Sequence, residues 1–118
     1  MTLSAFPLKD VTIEDEYSRN AYAKERAYLL SLEEGRLLAG FYENAGLPAP
    51  FSRYGGWENS LIAGHTLGHY MTALAQAYAN PATAENERGL FLQRAQNIAE
   101  PLSDCQKNSR GGTGFIWG

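Results

Sequence analysis

The chain has 118 residues, of which 44% are hydrophobic and 12% aromatic, and this is enough for one globular domain with a modest core. Ten basic against 13 acidic residues give a formal charge of −3 without any Lys/Arg cluster, which argues against a nucleic-acid partner. The single cysteine, Cys105, excludes an internal disulfide.

The amino-terminal segment has neither the basic start nor the apolar run of a signal peptide, and the compartment stays open. Residues 8–13 are predicted to be extended, because Val11 and Ile13 alternate with polar neighbours. We find no repeat and no low-complexity segment. We therefore expect one domain over residues 1–118, without an internal boundary.

The first helix is predicted over residues 14–32, where Thr12 followed by Asp15 resembles a helix start. Helical spacing predicts that it packs through Tyr17, Ala21, Tyr28 and Leu32.

The second helix is predicted over residues 34–45 and ends at Gly46, which suits a left-handed cap. Its packing residues are predicted to be Leu37, Leu38, Phe41 and Tyr42.

The third helix, predicted over residues 61–79 with Asn59 or Ser60 as its cap, lies in a stretch without any charged residue between Glu58 and Glu85. It is too polar for the ~20 apolar residues of a membrane span. At about 100° per residue, one narrow polar stripe forms on an otherwise apolar helix. The stripe consists of His65, His69, Thr72 and Gln76. This pattern predicts a helix buried all round, with the stripe facing hydrogen-bonding partners or a wet cavity.

Three other helices hardly suffice to surround such a helix. We therefore expect the chain to be part of a larger assembly, either a longer parent chain or a homo-oligomer. The fourth helix is predicted over residues 83–106, with Pro101 kinking or interrupting it. Its buried ladder is predicted to be Phe91, Ala95, Ile98, Leu102 and Cys105. The glycine-rich tail, residues 110–118, ends on a short apolar segment that suits a strand.

The two histidines have four possible roles. They can be hydrogen-bonded core residues, a metal pair, the polar wall of a pocket for a hydroxylated ligand, or a general acid or base. A third metal ligand and a catalytic partner are not visible nearby, so no metal site is predicted. Gly64 and Gly68 suggest close approach of another backbone or of a ligand, because glycine destabilises a helix interior.

Residues 54–79, "YGGWENSLIAGHTLGHYMTALAQAYA", together with "FPLKDVTI", "AYLLSLEEGRLLAGFYENAGLP" and "LSDCQKNSRGGTGFIWG", resemble the β-L-arabinofuranosidase-type glycoside hydrolases. The resemblance covers nearly the whole chain, and its core is Gly-Trp-Glu followed by Gly-His-x-x-Gly-His-Tyr. It implies an all-α fold, in which antiparallel helical hairpins form the N-terminal part of an (α/α)6 barrel and the third helix is an inner one.

The resemblance also implies a retaining hydrolase whose full-length members use zinc, a cysteine nucleophile and a glutamate acid/base. Nothing in this chain matches those groups, so no catalytic residue is predicted here, and Cys105 is not read as the nucleophile. What carries over is a carbohydrate-binding wall. The predicted sugar contacts are His65, His69, Trp57 and Glu58, and a helix-start role for Glu58 stays open.

We therefore expect the N-terminal fragment of a glycoside hydrolase that acts on arabinofuranosyl-containing glycans, with no membrane and no cofactor in this chain. It would associate with itself or with the rest of the barrel. The alternative is a small, self-standing helical module that oligomerises and binds a partner or a small ligand without catalysis.

Overall fold

The computed structural model describes residues 2–109 and 114–118 and is all-helical there. The all-α prediction is confirmed. Within the described residues no strand forms, and the ordered elements are four α-helices and two short 3₁₀ helices. In chain order they are the 3₁₀ helix Leu8–Asp10, α1 Glu16–Ser31, α2 Glu34–Ala45, the 3₁₀ helix Gly56–Asn59, α3 His65–Ala79 and α4 Glu85–Lys107.

Two terminal segments differ from expectation. Residues 8–13 are not extended throughout, since the first three of them form a 3₁₀ turn. The strand predicted in the tail does not form over residues 114–118, and residues 110–113 lie outside the described part of the chain.

Helix α2 has the bounds that its sequence predicts, and Leu37 and Leu38 are buried. Gly46 ends it in a left-handed conformation with φ 75°, and its N–H reaches the carbonyls of Glu43 and Tyr42. Local signals and packing agree here, because the apolar face and the glycine cap both lie within one short segment.

Helix α1 begins two residues later than predicted, with Asp15 as its N-cap. The Asp15 carboxylate accepts a hydrogen bond of 2.8 Å from the Ser18 N–H. The predicted packing face is wrong at Tyr17, Ala21 and Tyr28, which are exposed, whereas Leu32 is half-buried and packs against the core as predicted.

The α1 face that packs inward is set by contacts with the start of α4. The Tyr22 hydroxyl lies 2.7 Å from the Thr83 hydroxyl, and Arg26 pairs with Glu87 at 2.9 Å. Leu29 completes this face as the one buried residue of α1. The partners lie about sixty residues away in the chain, so helical spacing within α1 does not reveal them.

The core lies between α3, α4 and α2, with α1 against α3. Each of its fully buried side chains contributes about 1.5–3 kcal/mol. Its buried members are Leu29, Leu37, Leu38, Leu67, Tyr70, Leu74, Ala77, Phe91 and Ile98.

Helix α4 carries most of the predicted ladder. Phe91, Ile98 and Cys105 are buried, and Ala95 and Leu102 are half-buried. Of the two outcomes predicted for Pro101, an interruption is wrong, because the helix continues through the proline to Lys107, and a kink there stays a prediction.

Helix α3 begins at His65, four residues later than predicted, and residues 61–64 form a turn. Neither Asn59 nor Ser60 caps it. The N-cap is Gly64, whose φ of 85° cannot continue a right-handed helix and so sets the boundary. Ser60 instead donates its hydroxyl to the Trp57 carbonyl at 2.8 Å.

Within the chain, α3 is buried on one face only. Leu67, Tyr70 and Leu74 point into the core, whereas the polar stripe is exposed. The expectation of burial on all sides is therefore not met by these residues alone. Across residues 2–109 and 114–118, no helix has the length and apolarity needed to cross a membrane.

Candidate functional site

The two histidines stand next to each other on the first two turns of α3. Their Nε2 atoms lie 2.9 Å apart, and the rings meet edge to face at 79° with centroids 4.5 Å apart. In such a hydrogen bond one Nε2 carries the proton and the other accepts it. Both side chains are exposed, so the two histidines form a polar patch on the surface of this chain and are not core residues in it.

The remaining stripe residues continue along the same face. Thr72 donates its hydroxyl to the Gly68 carbonyl at 3.0 Å, and Gln76 is exposed. A shared opening for all four residues is not observed in the described part of the chain. His69 borders a cavity of about 190 Å³ between α1 and α3, and Gln76 borders a neighbouring one of about 470 Å³.

Trp57 lies on the 3₁₀ helix that precedes α3, and its indole is 72% exposed. Its carbonyl accepts hydrogen bonds from the backbone and hydroxyl of Ser60. The backbone of this loop is therefore fixed, while the indole face is free to meet a ligand.

Glu58, the residue after Trp57, is turned the other way. Its side chain is buried, with 7% of the residue exposed, and its Oε2 accepts a hydrogen bond of 3.1 Å from the Gly64 N–H. Its Oε1 is also buried and has no hydrogen-bond partner among the described residues. The sequence places Glu58 in the loop before α3, but its inward direction depends on how that loop closes.

The two glycines of the histidine motif differ in their surroundings. At Gly64 a side-chain carbon would lie 2.6 Å from the Gly118 Cα and 3.0 Å from the Phe41 ring, so the predicted close approach is present. At Gly68 no described atom lies within 4 Å of that position. The surface beside His65 and His69 is consequently open at Gly68.

Residues 10–118 match the family model described as beta-L-arabinofuranosidase, GH127 catalytic domain. The chain belongs to this family. The resemblance carried by the histidine motif is confirmed, and it places the chain among the glycoside hydrolases. A comparison with curated proteins gave no match.

Zinc is the cofactor that resemblance to this family implies for full-length members. Among residues 2–109 and 114–118, no three His, Cys, Asp or Glu side chains come close enough to hold a metal ion. His65 and His69 supply two ligands, whereas protein zinc sites have three or four. The described residues do not fit the metal, and no step through zinc is assigned to them.

Cys105 is the one cysteine of this chain, and it is buried in the core at 2% exposure. Burial raises the pKa of its thiol, and the Asp104 carboxylate adds to the rise. A thiol is nucleophilic as the thiolate, so this environment disfavours reactivity at neutral pH.

Arg94 is a central residue that the sequence does not single out. Its guanidinium donates to the Leu30 carbonyl at 2.7 Å, to the Leu32 carbonyl and to the Tyr70 hydroxyl at 3.1 Å. It also pairs with Glu34 at 3.1 Å. Arg94 thus fastens the carboxyl end of α1 and the first turn of α2 to α4, on which it lies, and through Tyr70 to α3.

The Tyr70 hydroxyl in turn donates to the Leu29 carbonyl at 2.9 Å. Burial raises the Tyr70 pKa, while the hydrogen bond and the charge from Arg94 oppose the rise. Arg94 also borders a cavity of about 450 Å³ with Phe51 and Tyr42. None of the four predicted sugar contacts lines that cavity, so the network supports the histidine helix without forming part of its exposed face.

Proposed function

We propose that this glycoside hydrolase chain supplies one wall of a sugar-binding pocket for arabinofuranosyl-containing glycans, with His65, His69 and Trp57 as the sugar contacts. The observation that carries the proposal is the exposed, hydrogen-bonded histidine pair beside an open glycine surface. Membership of the family gives the reaction class.

A sugar hydroxyl suits the histidine pair because it donates and accepts at once. While the two Nε2 atoms bond to each other, the donor ring keeps a lone pair at Nδ1 and the acceptor ring keeps an N–H at Nδ1, so the pair has one acceptor and one donor left for a sugar. The Trp57 indole, 72% exposed, adds an apolar face that can cover the C–H side of a sugar ring. Such a combination of a few polar groups with an aromatic face is typical of small-molecule sites.

We further propose that α3 is an inner helix of an (α/α)6 barrel. Its exposed stripe holds hydrogen-bonding groups but no charge, from His65 to Gln76. An uncharged polar stripe suits a wet cavity bounded by other helices. Large apolar side chains near the start of α3 are also exposed, among them Leu61 and Ile62, and they suit association with further helices or with a second copy.

The binding experiment is calorimetric titration of the chain with methyl β-L-arabinofuranoside, using methyl glucoside as the control sugar. We expect weak binding of about millimolar Kd, because only one wall is present. His65→Ala and His69→Ala should each abolish measurable binding. Gln93→Ala, an exposed polar residue on α4, is the matched control and should leave it unchanged. Equal loss in all three variants, or equal binding of both sugars, would overturn the assignment.

The chain itself is expected to show no turnover of a chromogenic β-L-arabinofuranoside and no stoichiometric zinc. Removing one acid/base group typically costs about 10²–10⁴-fold in rate, and this proposal assigns neither a nucleophile nor an acid/base to these residues. Hydrolysis assays and metal analysis of the purified chain test the expectation. Clear turnover that disappears in His65→Ala would show that the active site has been misplaced.

A further inference from the structure

Glu58 is the one acidic residue whose side chain is buried among the described residues. Burial of a carboxylate is costly unless it is paired or hydrogen-bonded. Only one of its oxygens has a partner within the described ranges: Oε2 accepts from the Gly64 N–H at 3.1 Å, whereas Oε1 is buried and unpartnered. A half-satisfied buried carboxylate calls for an explanation beyond stability.

The partner of Glu58 stands immediately before the first histidine. Gly64 is the N-cap of α3 and has no side chain to satisfy the free N–H groups of the helix start. The Glu58 carboxylate, six residues upstream, accepts from one of them, the N–H of Gly64 itself, and closes the 58–64 loop. A negative group at a helix amino terminus is also favoured by the helix dipole.

The other side of Glu58 is tied to α2. Its backbone carbonyl accepts from Arg53 at 3.3 Å, and Arg53 forms a 2.8 Å ion pair with Glu43 on α2. The Arg53 guanidinium lies against Gly40, where a side-chain carbon would be 3.0 Å away. A continuous set of contacts therefore runs from α2 through Glu58 to Gly64, and the next residue is His65.

We infer that Glu58 is a positioning residue, which holds the first turn of α3 so that His65 meets His69. Its link to sugar binding rests on the proposed function. Without the carboxylate the Gly64 N–H loses its acceptor, and the first turn loosens. His69 lies one turn further along and keeps its place, so the 2.9 Å contact between the rings is lost.

The test compares Glu58→Ala, Glu58→Gln and the control Asp15→Ala in the full chain. Asp15 is matched to Glu58, because its carboxylate also accepts a backbone N–H at a helix start, on α1. The primary readout is the long-range ¹H–¹⁵N spectrum of the imidazoles, which separates the Nδ1–H from the Nε2–H tautomer. The second readout is amide hydrogen exchange in the first turn of α3.

In the wild type we expect two different rings, one protonated and one unprotonated at Nε2. Glu58→Ala should make the two rings alike, as unpaired imidazoles are, and should speed first-turn exchange about tenfold, the size of a lost helix cap. Glu58→Gln should restore the paired pattern, because its amide oxygen can accept from Gly64. Asp15→Ala should leave both readouts unchanged.

A folded Glu58→Ala chain that keeps the paired pattern overturns the inference. So does a change of equal size in Asp15→Ala, since it would indicate general destabilisation. If Glu58→Ala does not fold, Glu58→Asp serves instead: its shorter carboxylate should lose the Gly64 contact and the ring pairing, and retained pairing overturns the inference.

The ring spectra need no sugar, so they judge Glu58 separately from the proposed function. If the wild type does not bind the arabinofuranoside, the proposed function is wrong. The imidazole spectra of the Glu58 variants still test whether Glu58 positions His65. Where the wild type binds, Glu58→Ala should weaken the affinity about tenfold and Glu58→Gln should recover most of it.

Discussion

Two glycines adopt left-handed conformations at the ends of α-helices, Gly46 after α2 with φ 75° and Gly64 before α3 with φ 85°. A side-chain carbon on Gly46 would meet no described atom within 4 Å, whereas on Gly64 it would lie 2.6 Å from Gly118 and 3.0 Å from Phe41. Gly46 is needed for its backbone angle alone, but Gly64 is needed for its angle and for space. The end of α2 is built by the local chain, and the start of α3 is built by segments distant in sequence.

Replacing the two glycines by alanine tests this difference most strongly. Gly46→Ala should lower the free energy of unfolding by about 1 kcal/mol, the cost of a left-handed alanine. Gly64→Ala should lower it by about 3 kcal/mol or more, because overlap with Gly118 and Phe41 adds to the strained angle. Urea unfolding of both variants measures the difference, and equal losses would show that the close approach is not needed for stability.

A second comparison concerns two basic residues of α4. Arg94→Ala should lower the free energy of unfolding by about 2–4 kcal/mol, because it leaves the Leu30 and Leu32 carbonyls and the Oε2 atom of Glu34 without their donor. Lys107→Ala breaks only an exposed pair with Asp104 and should cost less than about 0.5 kcal/mol. Similar losses of unfolding free energy in the two variants would show that Arg94 does not hold the ends of α1 and α2 in place.

The smallest effect on stability is expected at the start of α1. The hydrogen bond from the Ser18 N–H lowers the pKa of Asp15 below 3.8. A carboxyl with a lowered pKa in the folded state stabilises the fold above its unfolded pKa, and this contribution is lost as the pH falls through the folded value. Asp15→Ala should therefore be less stable than the wild type at neutral pH, and the difference should shrink as the pH falls through the lowered folded-state pKa of Asp15. A difference that does not change with pH would exclude ionisation of the carboxylate as its source.

How far sequence reasoning reaches depends on the range of the interactions. Helix α2 is predicted correctly, because Leu37, Leu38 and the cap Gly46 all lie within one segment. Helical spacing places His65 and His69 on one face without any tertiary information. The 2.9 Å contact between their rings also requires the first turn of α3 to be formed.

The errors at α1 and at the start of α3 share one cause, which is the dependence on distant partners. The inward face of α1 is chosen by Thr83 and Glu87 at the start of α4. The late start of α3 reflects the left-handed Gly64, packed against Gly118, and the inward turn of Glu58 follows from its bond to Gly64. From the sequence, Glu58 is predicted as a sugar contact and a helix-start role stays open, and nothing local indicates that the Glu58 side chain is buried while Trp57 is exposed.

Sugar contact by the start of α3 is tested most directly by mapping ¹H–¹⁵N shifts during titration of the chain with methyl β-L-arabinofuranoside. We expect saturating shifts in the His65 and His69 rings and the Trp57 indole N–H, with no shift at Gln93 on α4. Shifts confined to residues around Arg94 and Phe51, or no saturating shift at His65 and His69, would contradict it.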